Sequence, residues 1–368
     1  MGYEVDFLGV GEKSNSGDAI AVRFGNLAGP RSEQTVLIID AGYKEDGKRI
    51  SDHIKEHYKT DIVDLVISTH PDQDHINGLD TVIDELNVKR LWIHQPWDDT
   101  YGLSDLFKDG RITDNSIAKR LRENLNSAYE LTNKAISKGI IVEQPFTGLT
   151  YNNIKVIGPT ADYYRNLLPQ FDGMPTAKKT EDIELSNSRY SFEAFIEDVK
   201  QTFKKITNLW GEDKIDDEDT TSAKNNSSVI TQIIVDNKRL LFTGDAGITA
   251  LTAAANEIKN CHLGANLVFI QVPHHGSKRN VGPTLLNQLI GNPVAEGQTR
   301  KITAIASTAK EGEPKHPHKA VLNAFTHRGV KAIPTRGKNI CHHFGAQTRN
   351  GWSSVSAEPY HYEYDEEV

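Results

Sequence analysis

Cysteine is nearly absent from this sequence: among 368 residues there are two, Cys261 and Cys341. That is too few for a disulfide framework and ordinary for a reducing cytoplasm. Nowhere do about 18 apolar residues follow one another, which excludes a membrane-spanning helix. The opening MGYEVDFLGV has no basic stretch leading into a long apolar one, so no secretory signal is expected there. Its Met-Gly start does not read as an acylation signal either, because an acidic, strand-like segment follows. Repeats of solenoid period are missing, as are low-complexity tracts beyond one acidic run. Positive charge is in deficit, with 42 Lys and Arg against 50 Asp and Glu, a formal net charge of −8. This balance gives no global pull toward nucleic acid, so a polyanionic substrate would depend on local basic groups. What remains is the profile of a large cytoplasmic enzyme, long enough to bury a sizeable core.

Residues 68–79, STHPDQDHINGL, crowd His70, Asp72, Asp74 and His75 into six positions. The apolar β-branched run IVDLVI (62–67) precedes them, and INGLDTVIDEL follows with Ile76, Leu79, Val82, Ile83 and Leu86 at helical spacing. The cluster therefore lies where a buried strand gives way to a helix, the place where α/β proteins carry ligands and catalysts. Along an extended tail alternate side chains point one way, so His70, Asp72 and Asp74 share a face while His75 follows round the bend. Imidazole and carboxylate at this density suit zinc, manganese or iron, and one or two metal ions.

Elsewhere strands alternate with helices in two halves. The first has strands near 3–10, 18–24, 35–40, 62–68, 89–94 and at NIKVIGP (153–159). The second restarts at Val229 and ends with strands near 302–306, 331–333 and 339–344. Two insertions interrupt them, at about 100–140 and 160–224. Residues 104–139 read as a charged helical pair or lid. Within the second, YSFEAFIEDVKQTFKKITNLW (190–210) reads as an amphipathic helix and EDKIDDEDTT (212–221) as a solvated, mobile linker. The linker lacks the spaced ligands and turn glycine of a calcium loop. His53 and His57, four apart in a charged helix, read as a solvated face, and His342 and His343 as strand residues.

The stretch HPDQDH resembles the HxHxDH signature of the metallo-β-lactamase superfamily in the variant HxDxDH. That variant is similar to the hydrolase-like domain of ComEC-type competence proteins and their stand-alone relatives. Four more stretches fit in order: VDFLGVGEKSNSGDAIAVRF (5–24), TVLIIDAG (35–42), NNSSVITQIIVDNKRLLFTGDAG (225–247) and VPHHGSKRN (272–280). The resemblance implies one domain over residues 1–368, a four-layer αββα sandwich of two mixed sheets with helices outside, plus the helical insertions. It implies a hydrolase using a metal-activated water.

Carried over residue by residue, the resemblance gives metal ligands at His70, Asp72, Asp74, His75, Asp245 and His274, with Asp245 bridging two ions. Asp74 would also orient the water and take its proton, and His275 would stand behind the ligands or face substrate in a catalytic role. The family's middle histidine has no counterpart in KVIGPTADY, so the first site keeps His70, Asp72 and Asp245, with His94 either completing it or packing beside Trp92 and Trp97. Fewer imidazoles there favour manganese or magnesium over zinc. The second site, with Asp74, His75, Asp245 and His274, suits zinc or manganese. Substrate-binding candidates are His94, Ser277, Lys278 and His316, with Arg279, Lys315 and Lys319 adding positive charge that an anion would meet. The expected activity is phosphodiester or nucleic-acid hydrolysis. Carbonyl ester, thioester or lactam hydrolysis is the alternative, and a third is a non-catalytic protein that binds a partner, or dimerises, through its insertions.

Overall fold

The computed structural model describes residues 1–11, 15–178, 203–260, 264–312 and 315–367. Two seven-stranded mixed sheets carry the molecule. The first runs, in spatial order, Ile340–Phe344, Gly2–Phe7, Ala19–Gly25, Gln34–Ala41, Leu65–Ile67, Arg90–Trp92 and Ile141–Glu143. The second runs Lys331–Pro334, Thr303–Ala306, Asn266–Gln271, Lys238–Phe242, Ile230–Val235, Ile154–Gly158 and Thr150–Tyr151. In each sheet one side is antiparallel and the other parallel, from Gln34–Ala41 onward in the first and among Lys238–Phe242, Asn266–Gln271, Thr303–Ala306 and Lys331–Pro334 in the second. The last strand of the first sheet comes from the far end of the chain, pairing Val5 with His342.

Alternation along the strands sorts side chains into separate cores. In Gln34–Ala41, Leu37 and Ile39 face the second sheet, where they join Phe242, Phe269, Ile305 and Trp92 in one buried cluster. Val36 and Ile38 turn the other way, onto Ile50, Leu79 and Val82 of the helices Lys44–His53 and Leu79–Glu85. The helical pair Asp114–Asn124 and Asn126–Ser137, the expected first insertion, adds Ile117, Leu121 and Leu131 to this outer layer. On the second sheet's outer face Ile270 and Ala304 pack with Leu251, Leu285 and Phe325 of the helices Ile248–Asn260, Pro283–Leu289 and Lys319–Thr326. Helix, sheet, sheet and helix thus form four layers. No helix among the described residues is long and apolar enough to cross a membrane.

Three local expectations are corrected. Residues 190–202 of the expected amphipathic helix lie outside the described residues, and its end, Phe203–Thr207, is a strand paired antiparallel with Glu363–Glu367. Opposite charges across that pair, Lys205 and Glu363 at 2.6 Å among them, reward the sheet pairing over local helical pattern. The acidic run is no free linker. Ile215 is buried, Asp217 accepts from Thr284 N at the start of Pro283–Leu289, and Asp219 accepts from Thr249 N at the start of Ile248–Asn260. Carboxylates there satisfy amides that a helix start leaves unpaired. Nor is the His53 face solvated: His53 is buried with Nε2 3.3 Å from Asp6 Oδ2, and the His57 ring packs on both His53 and Trp352.

Candidate metal centre

The parallel strands of both sheets end on the same cluster. Leu65–Ile67 leads into His70, Asp72, Asp74 and His75; Lys238–Phe242 into Asp245; Asn266–Gln271 into His274 and His275. Asp245 Oδ2 is the hub. His75 Nε2 lies 3.4 Å from it, His274 Nε2 3.6 Å, His70 Nε2 3.8 Å and His275 Nε2 3.9 Å. Around the hub, His70 Nε2 is 3.7 Å from Asp72 Oδ2, and Asp74 Oδ2 is 3.6 Å from His75 Nε2 and 3.4 Å from His275 Nε2. Such separations exceed good hydrogen bonds but match two donor atoms sharing an ion, which stand about 3–4 Å apart when each is about 2 Å from the metal.

Neighbouring groups fix how each imidazole carries its proton. Thr69 Oγ1 donates to Asp40 Oδ2 at 2.5 Å, so its lone pair is left to accept from His70 Nδ1 at 3.0 Å. His75 Nδ1 donates to Asp40 Oδ2 at 2.8 Å, His275 Nδ1 to the Ser307 carbonyl at 2.9 Å, and His274 Nδ1 to Asn280 Oδ1 at 2.9 Å. These bonds occupy Nδ1 in all four rings, so each turns its Nε2 toward one carboxylate oxygen, where a bound cation would take the place of a proton. His70 Nε2, His75 Nε2, His275 Nε2 and Asp245 Oδ1 are buried without a hydrogen-bond partner, each an unmet cost of about 1–3 kcal/mol. A cation satisfies all of them together, so the residues fit a metal.

The electrostatics also call for positive charge. Burial pushes the His75 and His275 imidazoles down, yet the carboxylates around them win: Asp245 and Asp74 hold His75 well above its ordinary value and raise His275 to about 9. Burial pushes Asp245 and Asp74 up, and the neighbouring histidines hold both below the usual carboxylate range. His70 is lowered by burial and by the neighbouring His75, which outweigh Asp245 and Asp72.

The structure thus brings together His70, Asp72, Asp74, His75, Asp245, His274 and His275. His275, expected behind the ligands or facing substrate, has Nε2 3.4 Å from Asp74 and groups with Asp74 and His75 within 4.8 Å. Both His274 and His275 have left-handed backbone, φ 47° and 55°, and their rings stand 5.8 Å apart at 65° to each other. His94 is not brought in. Its ring packs on Phe146 and Tyr164, at 4.9 and 4.1 Å, and burial lowers it to about 3. His316 stands 5.7 Å from the His274 ring, with its Nδ1 buried and unpartnered. Ser277 is buried in the turn, and its Oγ accepts from Arg279 N. Lys278 does not face the metals freely, since Glu366 of the C-terminal strand holds it, and Lys319 lies 3.6 Å from Glu358. The cation beside the cluster is instead Lys224, 3.8 Å from Asp72 Oδ1 and 3.3 Å from Asp172 Oδ2. The sequence marks Asp40 only as the aspartate near the end of TVLIIDAG, with no role given to it, and carries no signal for Asn280, Ser307 or Lys224.

No family model matches the chain, and no curated protein does. Among solved structures it is similar to a metallo-beta-lactamase from Hirschia baltica, at 10% identity and a TM-score of 0.32, over 78% of this chain and 90% of that one. It is also similar to a Thermotoga maritima protein described provisionally as a metallo-beta-lactamase, at 15% identity and a TM-score of 0.26, over 42% of this chain and 66% of that one. The layer order described above, two face-to-face mixed sheets between helices, is that of the metallo-β-lactamase fold.

Proposed function

We propose that the protein is a metal-dependent hydrolase of phosphodiesters, nucleotides or nucleic acid among them. The observation that carries the metal is the convergence of four Nε2 lone pairs on Asp245 Oδ2. One half of the centre would be His70, Asp72 and His274, and the other Asp74, His75 and His275, with Asp245 between. His274 is counted with His70 and Asp72 because Asp74, His75 and His275 already form a close group without it. With His274 counted there, the first half is not histidine-poor, and the donor set suits zinc as well as manganese.

Divalent ions, when bound, supply an acidified water and an electrophile for the bond under attack. The chain's own residues do the rest. Asp74, part-exposed and in contact with both His75 and His275, is open to an entering water, and one of its oxygens takes the proton. Lys224 offers its ammonium to a substrate phosphate over the Asp72 side. His316 lines the His274 side as a substrate contact.

Removing His70 and Asp74 together takes a ligand from each half, so His70→Ala with Asp74→Ala should lose both bound metal and hydrolysis. Elemental analysis and cleavage of a chromogenic phosphodiester, single- and double-stranded oligonucleotides and a thioester check this. Full metal content in the double variant overturns the centre. Turnover of the thioester with every phosphodiester untouched replaces the phosphodiesterase reading by the carbonyl-hydrolase one.

A further inference from the structure

The first loop of the chain carries an acid that the centre described so far does not use. Asp18 is 1% exposed, and its Oδ1 is buried without a hydrogen-bond partner. Its other oxygen, Oδ2, accepts from Gln271 Nε2 at 2.8 Å, and Gln271 is itself held through Oε1 by Thr243 N and Gly244 N. The backbone at Gly17 and Asp18 is tied on both sides. Ser307 Oγ donates to the Gly17 carbonyl at 2.6 Å, Asp18 N donates to the Asp74 carbonyl at 3.1 Å, and a side chain at Gly17 would meet that same carbonyl at 2.5 Å. One oxygen of Asp18, one of Asp245 and one ring nitrogen of His275 lie within 4.8 Å of one another.

A buried carboxylate oxygen without a donor is costly unless a cation faces it. We propose that Asp18 is a further metal ligand, binding through Oδ1 the ion held between Asp245 and His275, with Gln271 as the group that aims it. This rests on the metal-hydrolase reading and adds to it a ligand from the opening glycine-rich loop. That half would then hold carboxylates from Asp18, Asp74 and Asp245 beside two imidazoles, a set richer in oxygen than the other half.

The test is Asp18→Asn, which keeps a carbonyl for Gln271 and puts an amide where the free oxygen lies. Metal-stripped protein is titrated with manganese, zinc and cobalt by calorimetry, with cobalt absorption followed and the melting of the stripped protein recorded. The expected result is at least tenfold weaker binding of one ion, a changed cobalt spectrum, and stripped protein that melts no lower than wild type, because a buried unpaired charge has gone. Asp18→Ser, smaller and uncharged, should weaken the same ion. Unchanged affinity and cobalt spectrum in Asp18→Asn overturn the ligand assignment alone, and so does weaker binding that merely follows a lower melting point of the stripped protein. Wild-type protein that takes up no ion overturns the metal centre and the assignment with it.

Discussion

Asp40 shows how much one side chain sets. It lies buried at the end of its strand with φ 54°, and its two oxygens take Thr69 N, Thr69 Oγ1 and His75 Nδ1. Through Thr69 it also fixes the proton of His70, so a single carboxylate decides which nitrogen two histidines present. Asp40→Asn should put an amide hydrogen against His75 Nδ1, move the ring proton to Nε2, and so cover the lone pair that faces Asp245. The expected outcome is about 10–100-fold weaker metal binding, read by calorimetry on the stripped protein. Affinity within twofold of wild type would show that Asp40 does not set the tautomer. At this scale His70, Asp72, Asp74 and His75 were legible because they are contiguous and follow a strand. Where the rings of His274 and His275 would point was not, because left-handed backbone torsion sets it and residue order does not.

Elements were read well where their pattern is self-contained and poorly where a distant partner decides. The helices Asp114–Asn124 and Asn126–Ser137 bury their own periodic stripe, and the sequence shows it. Phe203–Thr207 owes its strand to residues at the other end of the chain, which no local window contains. The acidic run 212–221 is likewise ordered by groups elsewhere. Asp213 bonds both guanidinium ends of the buried Arg328, at 2.9 and 2.8 Å. Burial raises its carboxyl, but hydrogen bonds from His327 and Arg328 overcome this and hold it at about 2, against an ordinary 3.8. A depressed carboxyl adds stability that is fully present above the unfolded value and is lost as pH falls from about 4 to about 2. Asp213→Asn should therefore be less stable than wild type at neutral pH by on the order of 2 kcal/mol. In urea unfolding with metal-free protein, the gap should close by about pH 2. A gap that stays constant from neutral pH to about pH 2 would mean that the pair does not order the run.

For the whole molecule the question is where a chain of net charge −8 holds an anion. The family resemblance implies basic residues of HHGSKRN and PKHPHK near the metals, but the C-terminal segment already answers two of them: Glu366 takes Lys278 and lies 3.5 Å from His318, and Glu358 faces Lys319. A cation tied to a carboxylate contributes little net field, so these loops attract an anion less than their composition suggests. Lys224 differs because of what surrounds it. One of its two carboxylates, Asp72, belongs to the proposed centre, where a bound ion would claim its charge, and the other, Asp172, has a side chain 80% exposed and screened by water. Loading the centre thus leaves the ammonium free to face a substrate phosphate at the rim. Lys224→Glu should raise KM for an oligonucleotide at least tenfold and flatten its dependence on salt, with metal content unchanged, since a phosphate contact releases counterions. Lys278→Glu should change KM less than twofold. Steady-state cleavage at two salt concentrations, with metal content measured on the same samples, separates the two residues: a larger effect at Lys278 than at Lys224 would return the substrate path to the late histidine loop.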